Sequence, residues 1–295
     1  RATSNQDNYY AWTIGSFSIS KLSEYFINDL SMTNDVWCTA IGNDINDGLS
    51  ALTPKATLSS LLSVNDVEPG DVVHIDTGTY ILTSEIMVLN SDGGNSGSWV
   101  LFQGSPLGTV FQQSNSSEGV VWLDASYTEW ENICFANTGH GGYTSNFGVV
   151  VAGFGSLFQN TSFINNSIGI ETTETGGKSI SIYNSLFKHN YIYALRLNNF
   201  YTTNKVSCDI CNCTFTDNDI TIYTNTRCFV SLKNSIIESS SCGIYYKGYD
   251  FSDVCKTVVS NYNNYFCNSI STYKFGTYIT SFTSLPDWQM ATAND

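Results

Sequence analysis

The sequence repeats itself. The pattern Asn-x-x-Phe-x-x-Asn recurs at Asn160-Thr-Ser-Phe163-Ile-Asn-Asn166, Asn184-Ser-Leu-Phe187-Lys-His-Asn190 and Asn212-Cys-Thr-Phe215-Thr-Asp-Asn218. Partial copies stand at Asn132-Ile-Cys-Phe135, Asn234-Ser-Ile-Ile237 and Asn263-Asn-Tyr-Phe266. Successive leading asparagines are 22 to 29 residues apart. A unit of that length cannot bury its own apolar face, so it must stack on its neighbours. The period predicts a solenoid.

Counting from each leading Asn predicts the geometry. Four and two residues before it stand Thr128/Trp130, Ile180/Ile182, Cys208/Ile210 and Val230/Leu232, a period of two with one face inward. Three residues after it stand Phe135, Phe163, Phe187, Phe215, Ile237 and Phe266. Ten after it come Ile170, Ala194, Ile222 and Ile244. Three strands per turn follow, stacked about 4.8 Å apart. The leading Asn is expected to form an inward ladder at a bend, and the Phe an aromatic stack. One residue beyond the third inward position lie Glu171, Leu195, Tyr223 and Tyr245, with Tyr193 and Tyr246 nearby. These predict an outward, partly aromatic strip able to dock sugar rings or another protomer.

The N-terminal half reads differently. Lys21–Leu30 has apolar residues at 22, 25, 26, 27 and 30, a helical spacing. An open solenoid end needs covering, so this segment is expected to be a helical cap. Then come Gly42-Asn-Asp-Ile-Asn-Asp-Gly48, Thr53-Pro-Lys-Ala-Thr-Leu58 and Pro69-Gly-Asp-Val-Val-His-Ile-Asp-Thr-Gly-Thr-Tyr80. They predict an Asx/Gly turn, a short helix near 57–64 and a strand over 71–76. This ordered set resembles the entry region of secreted right-handed parallel β-helix proteins of the pectate-lyase-like group. The resemblance implies an all-β, right-handed parallel β-helix with a short N-terminal helical cap. Residues 1–35 are assigned to the cap or extension and 36–295 to the β-helix. The segment from Phe282 resembles one that leads into a further turn in related proteins, so a longer protein is expected. The sequence starts at Arg1 within ordinary polar residues, and a cleaved or omitted leader is expected upstream.

Composition narrows the partners. Net charge is −14 with only 12 Lys+Arg, which disfavours nucleic acid, anionic polysaccharide and anionic membranes. No apolar run reaches the ~18 residues of a membrane span. Cys208-x-x-Cys211-x-Cys213 looks like half a zinc site, but no second cluster stands at zinc spacing. The nine cysteines are read as core fillers, some paired between turns, with one disulfide among Cys242, Cys255 and Cys267. Asp44, Asn46 and Asp47 are weak Ca²⁺ candidates, with an Asx turn as the plainer reading. Sequons occur at Asn115, Asn160, Asn165 and Asn212. Asn160 and Asn212 belong to the expected inward ladder, which leaves Asn115 and Asn165 as glycosylation candidates.

Chemistry has weak candidates only. Lys188, His189 and Arg196 form the nearest basic group, but the repeat places them at different parts of a turn. Gly139-His140-Gly141 matches a segment of pectin hydrolases, without the paired Asp and Arg-x-Lys motifs that accompany it there. The sequence therefore points to an extracellular or cell-surface structural or adhesive β-helix, self-assembling or glycan-binding. A polysaccharide lyase or glycosidase on the same fold is the alternative.

Overall fold

The computed structural model describes residues 22–115, 117–138, 146–173, 177–199, 205–225, 227–248, 258–275 and 278–284. Strand β1 (Glu24–Ile27) and helix α1 (Leu58–Val64) precede the first complete turn. That turn is β2 (Val72–Ile75), β3 (Gly78–Leu82) and β4 (Ile86–Val88). The next two are β5 (Val100–Gly104), β6 (Thr109–Gln113), β7 (Val121–Leu123), then β8 (Thr128–Glu131), β9 (Ile133–Ala136), β10 (Phe147–Val151). They are followed by β11 (Ser156–Gln159), β12 (Ser162–Ile164), β13 (Ile168–Thr172), then β14 (Lys178–Tyr183), β15 (Leu186–Lys188), β16 (Tyr193–Leu197). From there the second and third strands run together. The pairs are β17 (Val206–Cys211) with β18 (Thr214–Asn225), β19 (Cys228–Lys233) with β20 (Ile236–Gly248), and β21 (Val258–Asn261) with β22 (Asn264–Phe275). Strand β23 (Tyr278–Phe282) folds back antiparallel on β22.

First strands stack into a nine-stranded sheet, β1-β2-β5-β8-β11-β14-β17-β19-β21, parallel throughout. Second and third strands share a 14-stranded sheet that bends at β18. The molecule is a parallel β-helix with three strands per turn, as the repeat predicts.

The inward columns carry the core. Phe135, Phe163, Phe187 and Phe215 are fully buried and stack face to face. Their ring centroids are 5.1, 4.7 and 4.9 Å apart, with planes within 15°. Phe102 stacks on Trp130 at 4.2 Å in the first sheet. Each such ring contributes roughly 2–3 kcal/mol through burial alone.

The two asparagines of the motif have different roles, and the inward ladder is not the leading one. Asn132, Asn160, Asn184, Asn212 and Asn234 hold φ between 51° and 58°. They make the one-residue bend from first to second strand, a left-handed conformation Asn tolerates. Asn160, Asn184, Asn212 and Asn234 are exposed. The trailing asparagines Asn166, Asn190 and Asn218 are fully buried. Asn166, Asn190 and Asn218 donate Nδ2 to the carbonyls of Phe135, Phe163 and Phe187 at 3.0, 3.0 and 2.9 Å. Asn190 also donates to Asn218 Oδ1. The last copy is offset by one residue. Tyr262 takes the left-handed bend (φ 58°), and Tyr265 pairs with Ile237. Phe266, expected in the stack, is 65% exposed.

The N-terminal end departs from the expected helical cap. Residues 1–21, including Lys21, lie outside the described residues, and Glu24–Ile27 is a strand paired with β2. Tyr25 and Ile27 point into the core, so the same apolar residues satisfy a period of two. A ten-residue helix alone is marginal. The strand gains a ladder with β2 on one side and bonds from residues 48 and 55 on the other. Phe26 N–H donates to Gly48 O at 2.8 Å and Asn28 N–H to Lys55 O at 2.9 Å. The sheet edge is thus covered by the loop itself. Gly42 is obligatory there, because a Cβ would lie 1.8 Å from Asn28 O.

The predicted helix near 57–64 is α1. Thr57 caps it, accepting from Ser60 N–H at 3.1 Å, and Leu58 and Leu61 are buried. Asp76 pins the same loop. Its carboxylate accepts four backbone N–H bonds, from Val36 (2.7 Å), Trp37 (2.9 Å), Cys38 (2.6 Å) and Thr77 (2.7 Å). No described helix is long and apolar enough to cross a membrane.

Candidate functional site

The third strands carry the tyrosine strip. Register aligns Trp122, Val150, Glu171, Arg196, Tyr223 and Tyr245 in one column. Arg196, not Leu195, occupies its turn. Leu195 instead lies between Ile170 and Ile222 and is fully buried. The turn starting at Asn184 holds one residue more before its third strand, which shifts the count. Tyr223 stacks on Tyr245 at 5.7 Å and 11°, and Tyr193 tilts against Tyr223 at 5.0 Å. Stacking along the axis occupies the ring faces, and Tyr223, like Val150 and Glu171 in its column, is buried, so the column is not the open aromatic strip the spacing predicts. Burial, and the neighbouring Tyr193 and Tyr245, push the Tyr223 phenol up to about 12. Tyr246 does not belong to the strip: it is fully buried in the core, because it falls on the alternate face from Tyr245.

The basic candidates do not converge. Arg196 forms an ion pair with Glu171, which also accepts from Asn198 Nδ2 at 2.7 Å. Lys188 ends β15. His189 is a left-handed bend residue (φ 54°), its Nε2 3.7 Å from Asp217 on the next turn. His140 lies outside the described residues.

The calcium candidates are held in turns. Asp44 Oδ1 accepts from Ala56 N–H (3.0 Å) and Thr57 N–H (2.9 Å), ahead of α1. Asp47 Oδ1 accepts from Thr53 Oγ1 at 2.7 Å, and Asn46 Nδ2 donates to Pro54 O at 2.8 Å. Among the described residues, no three His, Cys, Asp or Glu gather as a metal site. No disulfide joins two described cysteines, and Cys255 lies outside them. Cys208 and Cys213 are buried, while Cys211 is on the opposite face of β17 from Cys208. Burial pushes the Cys213 thiol up to about 11.

The sequon asparagines differ in exposure. Asn115 is exposed, and Asn165 donates Nδ2 to Asn137 Oδ1 at 3.2 Å at the second bend. Asn160 and Asn212 are exposed, so the inward ladder gives no ground for setting them aside.

The outer face of the first sheet holds a group the motif does not predict. One column runs Phe26, His74, Gln103, Glu131, Gln159, Tyr183, Cys211 and Lys233. Beside it run Leu101, Glu129, Leu157, Ser181, Asp209 and Ser231. Gln103 Nε2 donates to Glu131 Oε2 at 3.3 Å. Burial, then the charge of Glu131 and a hydrogen bond with it, hold the Glu129 carboxyl above its ordinary range. Tyr183 Oη donates to Asp209 Oδ2 at 3.1 Å. At the near end His74 is packed between Phe26 (5.2 Å) and Trp37 (4.9 Å), and burial lowers its pKa. The signal was present in Thr128-Glu-Trp-Glu131: alternation around an inward Trp puts both carboxyls on one outer face.

No protein-family model and no curated protein matches the chain. Among solved structures it is similar to a rhamnogalacturonan lyase, with TM-score 0.55 and 16% identity. That match covers 85% of this chain and spans 66% of the lyase. It is also similar to pectate lyase Pel9A, with TM-score 0.49 and 14% identity over 81% of this chain and 70% of that one. The class is therefore the parallel β-helix. Likeness at this identity concerns the fold, and the fold hosts many chemistries.

Proposed function

We propose that this chain is a glycan-recognising β-helix module of a secreted or cell-surface protein, working through the outer face of its first sheet. The observation that carries this reading is the half-buried polar run Gln103–Glu131–Gln159–Tyr183, one side chain per turn along the axis. Amides, carboxyls and a phenol set on rigid strands suit the hydroxyls of an extended sugar chain. The chemistry favours a neutral glycan. Glu129, Glu131 and Asp209 repel uronates, and Lys233 is the cation of that column, at its far end. Binding to a panel of neutral and uronate polysaccharides tests the reading, with Glu131→Ala and Gln159→Ala as variants. Neutral-glycan binding lost in both folded variants supports it; no glycan binding by the wild type overturns it.

Hydrolysis of a glycan is the second reading, favoured by two carboxyls on one outer face, Glu129 and Glu131, of which Glu129 is held above its ordinary range by burial and by its neighbour. Glycosidase carboxyls stand about 5 Å or more apart. Glu129 and Glu131 lie two residues apart on one face of β8, so catalysis would require their carboxyls to stand at such a separation around the sugar. Release of reducing ends from any bound glycan, abolished in Glu129→Gln, decides between module and enzyme.

A further inference from the structure

We propose that Asn160 is an N-glycosylation acceptor. The sequon is Asn160-Thr-Ser162. Three structural facts support it, and the second sets it apart from Asn165 and Asn212. First, Asn160 is exposed at the bend between β11 and β12, where φ of 53° turns its side chain outward. Second, its backbone N–H is satisfied along the axis by Tyr183 O at 3.1 Å, and its side-chain amide makes no hydrogen bond among the described residues. The corresponding amides of Asn212 and Asn165 are engaged, donating to Asn184 Oδ1 and Asn137 Oδ1, each at 3.2 Å. Third, Thr161 between them is buried while Ser162 faces out, so acceptor amide and sequon hydroxyl share the outer side of the chain.

The reaction needs a lipid-diphosphate-linked oligosaccharide as donor. The Asn160 amide nitrogen bonds to C1 of the first sugar and loses one proton. The C1–O bond to the lipid diphosphate breaks, and the lipid diphosphate leaves. No redox change occurs. The remaining amide N–H is retained, and the sugar projects from the rod beside Gln159. Neighbouring turns have Asn132-Ile-Cys and Asn184-Ser-Leu at the same bend, neither a sequon, so no second glycan stands directly above or below.

The test is secretion of the whole chain from a eukaryotic host, followed by peptide mass spectrometry before and after an amidase that converts glycosylated Asn to Asp. A glycan on Asn160 is expected in the soluble, folded fraction. Ser162→Ala, which leaves Asn160 in place, and Asn160→Asp, which tolerates the left-handed bend, should each remove that glycan. Both should keep the circular dichroism and melting curve of the enzymatically deglycosylated protein. Asn160 unmodified in the folded protein overturns the proposal, whether or not Asn115 is occupied. A glycan on Asn160 found only in aggregated material overturns it as well.

Discussion

Asn190 donates its side-chain amide to Asn218 one turn on, Nδ2 to Oδ1 at 2.8 Å, in a site from which water is excluded. The same nitrogen reaches Phe163 O at 3.0 Å. Six residues earlier in the chain, Asn184 stands exposed at a left-handed bend. Two copies of one residue in one motif thus answer to different forces. Replacing Asn190 by Ala leaves a buried carbonyl and a neighbouring amide unsatisfied, at about 2–3 kcal/mol. Asn184→Gly keeps the bend and should cost under about 1 kcal/mol. Urea midpoints of the two variants provide the check; equal losses would contradict the assignment.

The Phe stack makes a second prediction. Phe187 touches Phe163 and Phe215 face to face and is fully buried. Phe187→Ala should cost about 3–5 kcal/mol by transfer and cavity terms. Phe187→Leu, closer in volume, should cost about 1–2 kcal/mol. Phe266→Ala, on an exposed side chain, should fall within roughly 0.5 kcal/mol of wild type. Denaturant unfolding ranks the three.

Asp76 controls the N-terminal loop. Burial pushes its carboxyl up, but the N–H groups of Cys38, Val36, Thr77 and Trp37 outweigh it, and the folded pKa lies below the ordinary 3.8. Its contribution is therefore present above pH ~4 and lost as pH falls through the folded pKa. Asp76→Asn should lower stability at pH 7 by roughly 2–3 kcal/mol and flatten the acid limb of the stability curve. Thermal melts from pH 2 to pH 7 measure both effects.

Glu85 runs the other way. Burial, then the charge of Glu118, raise its carboxyl to about 7. The folded state holds that proton where the unfolded state has released it, so stability falls as pH rises from about 4.5 to 7. Glu85→Gln removes the charge and should raise the melting temperature at pH 8 while leaving it unchanged at pH 4. A uniform shift at both values would show that the effect is not titration.

The β-helix was legible because a Phe every turn, between asparagines, leaves few ways to bury those rings. The inward columns at Trp130, Ile182 and Ile210, the Phe stack, helix α1 and strand β2 all follow from spacing. Several things did not. Residues 24–27 satisfy helical and strand periods alike, and only a partner strand, remote in sequence, decides between them. Leu195 and Arg196 exchange faces because one extra residue slips in before β16, and a slip of one reverses every side chain in a strand. Tyr245 and Tyr246 are adjacent letters with opposite fates for the same reason.

By itself, the sequence determined the stack: a repeat near 22–29 residues with alternating apolar positions has no other way to bury its faces. The tertiary structure decided which asparagine lies inside. It also decided which side chains from different turns share a surface. Local spacing specifies the direction of a side chain within its strand. The pairing of Glu131 with Gln103, or of Asn190 with Asn218, depends on register between strands, which only the hydrogen bonds of the assembled sheets establish.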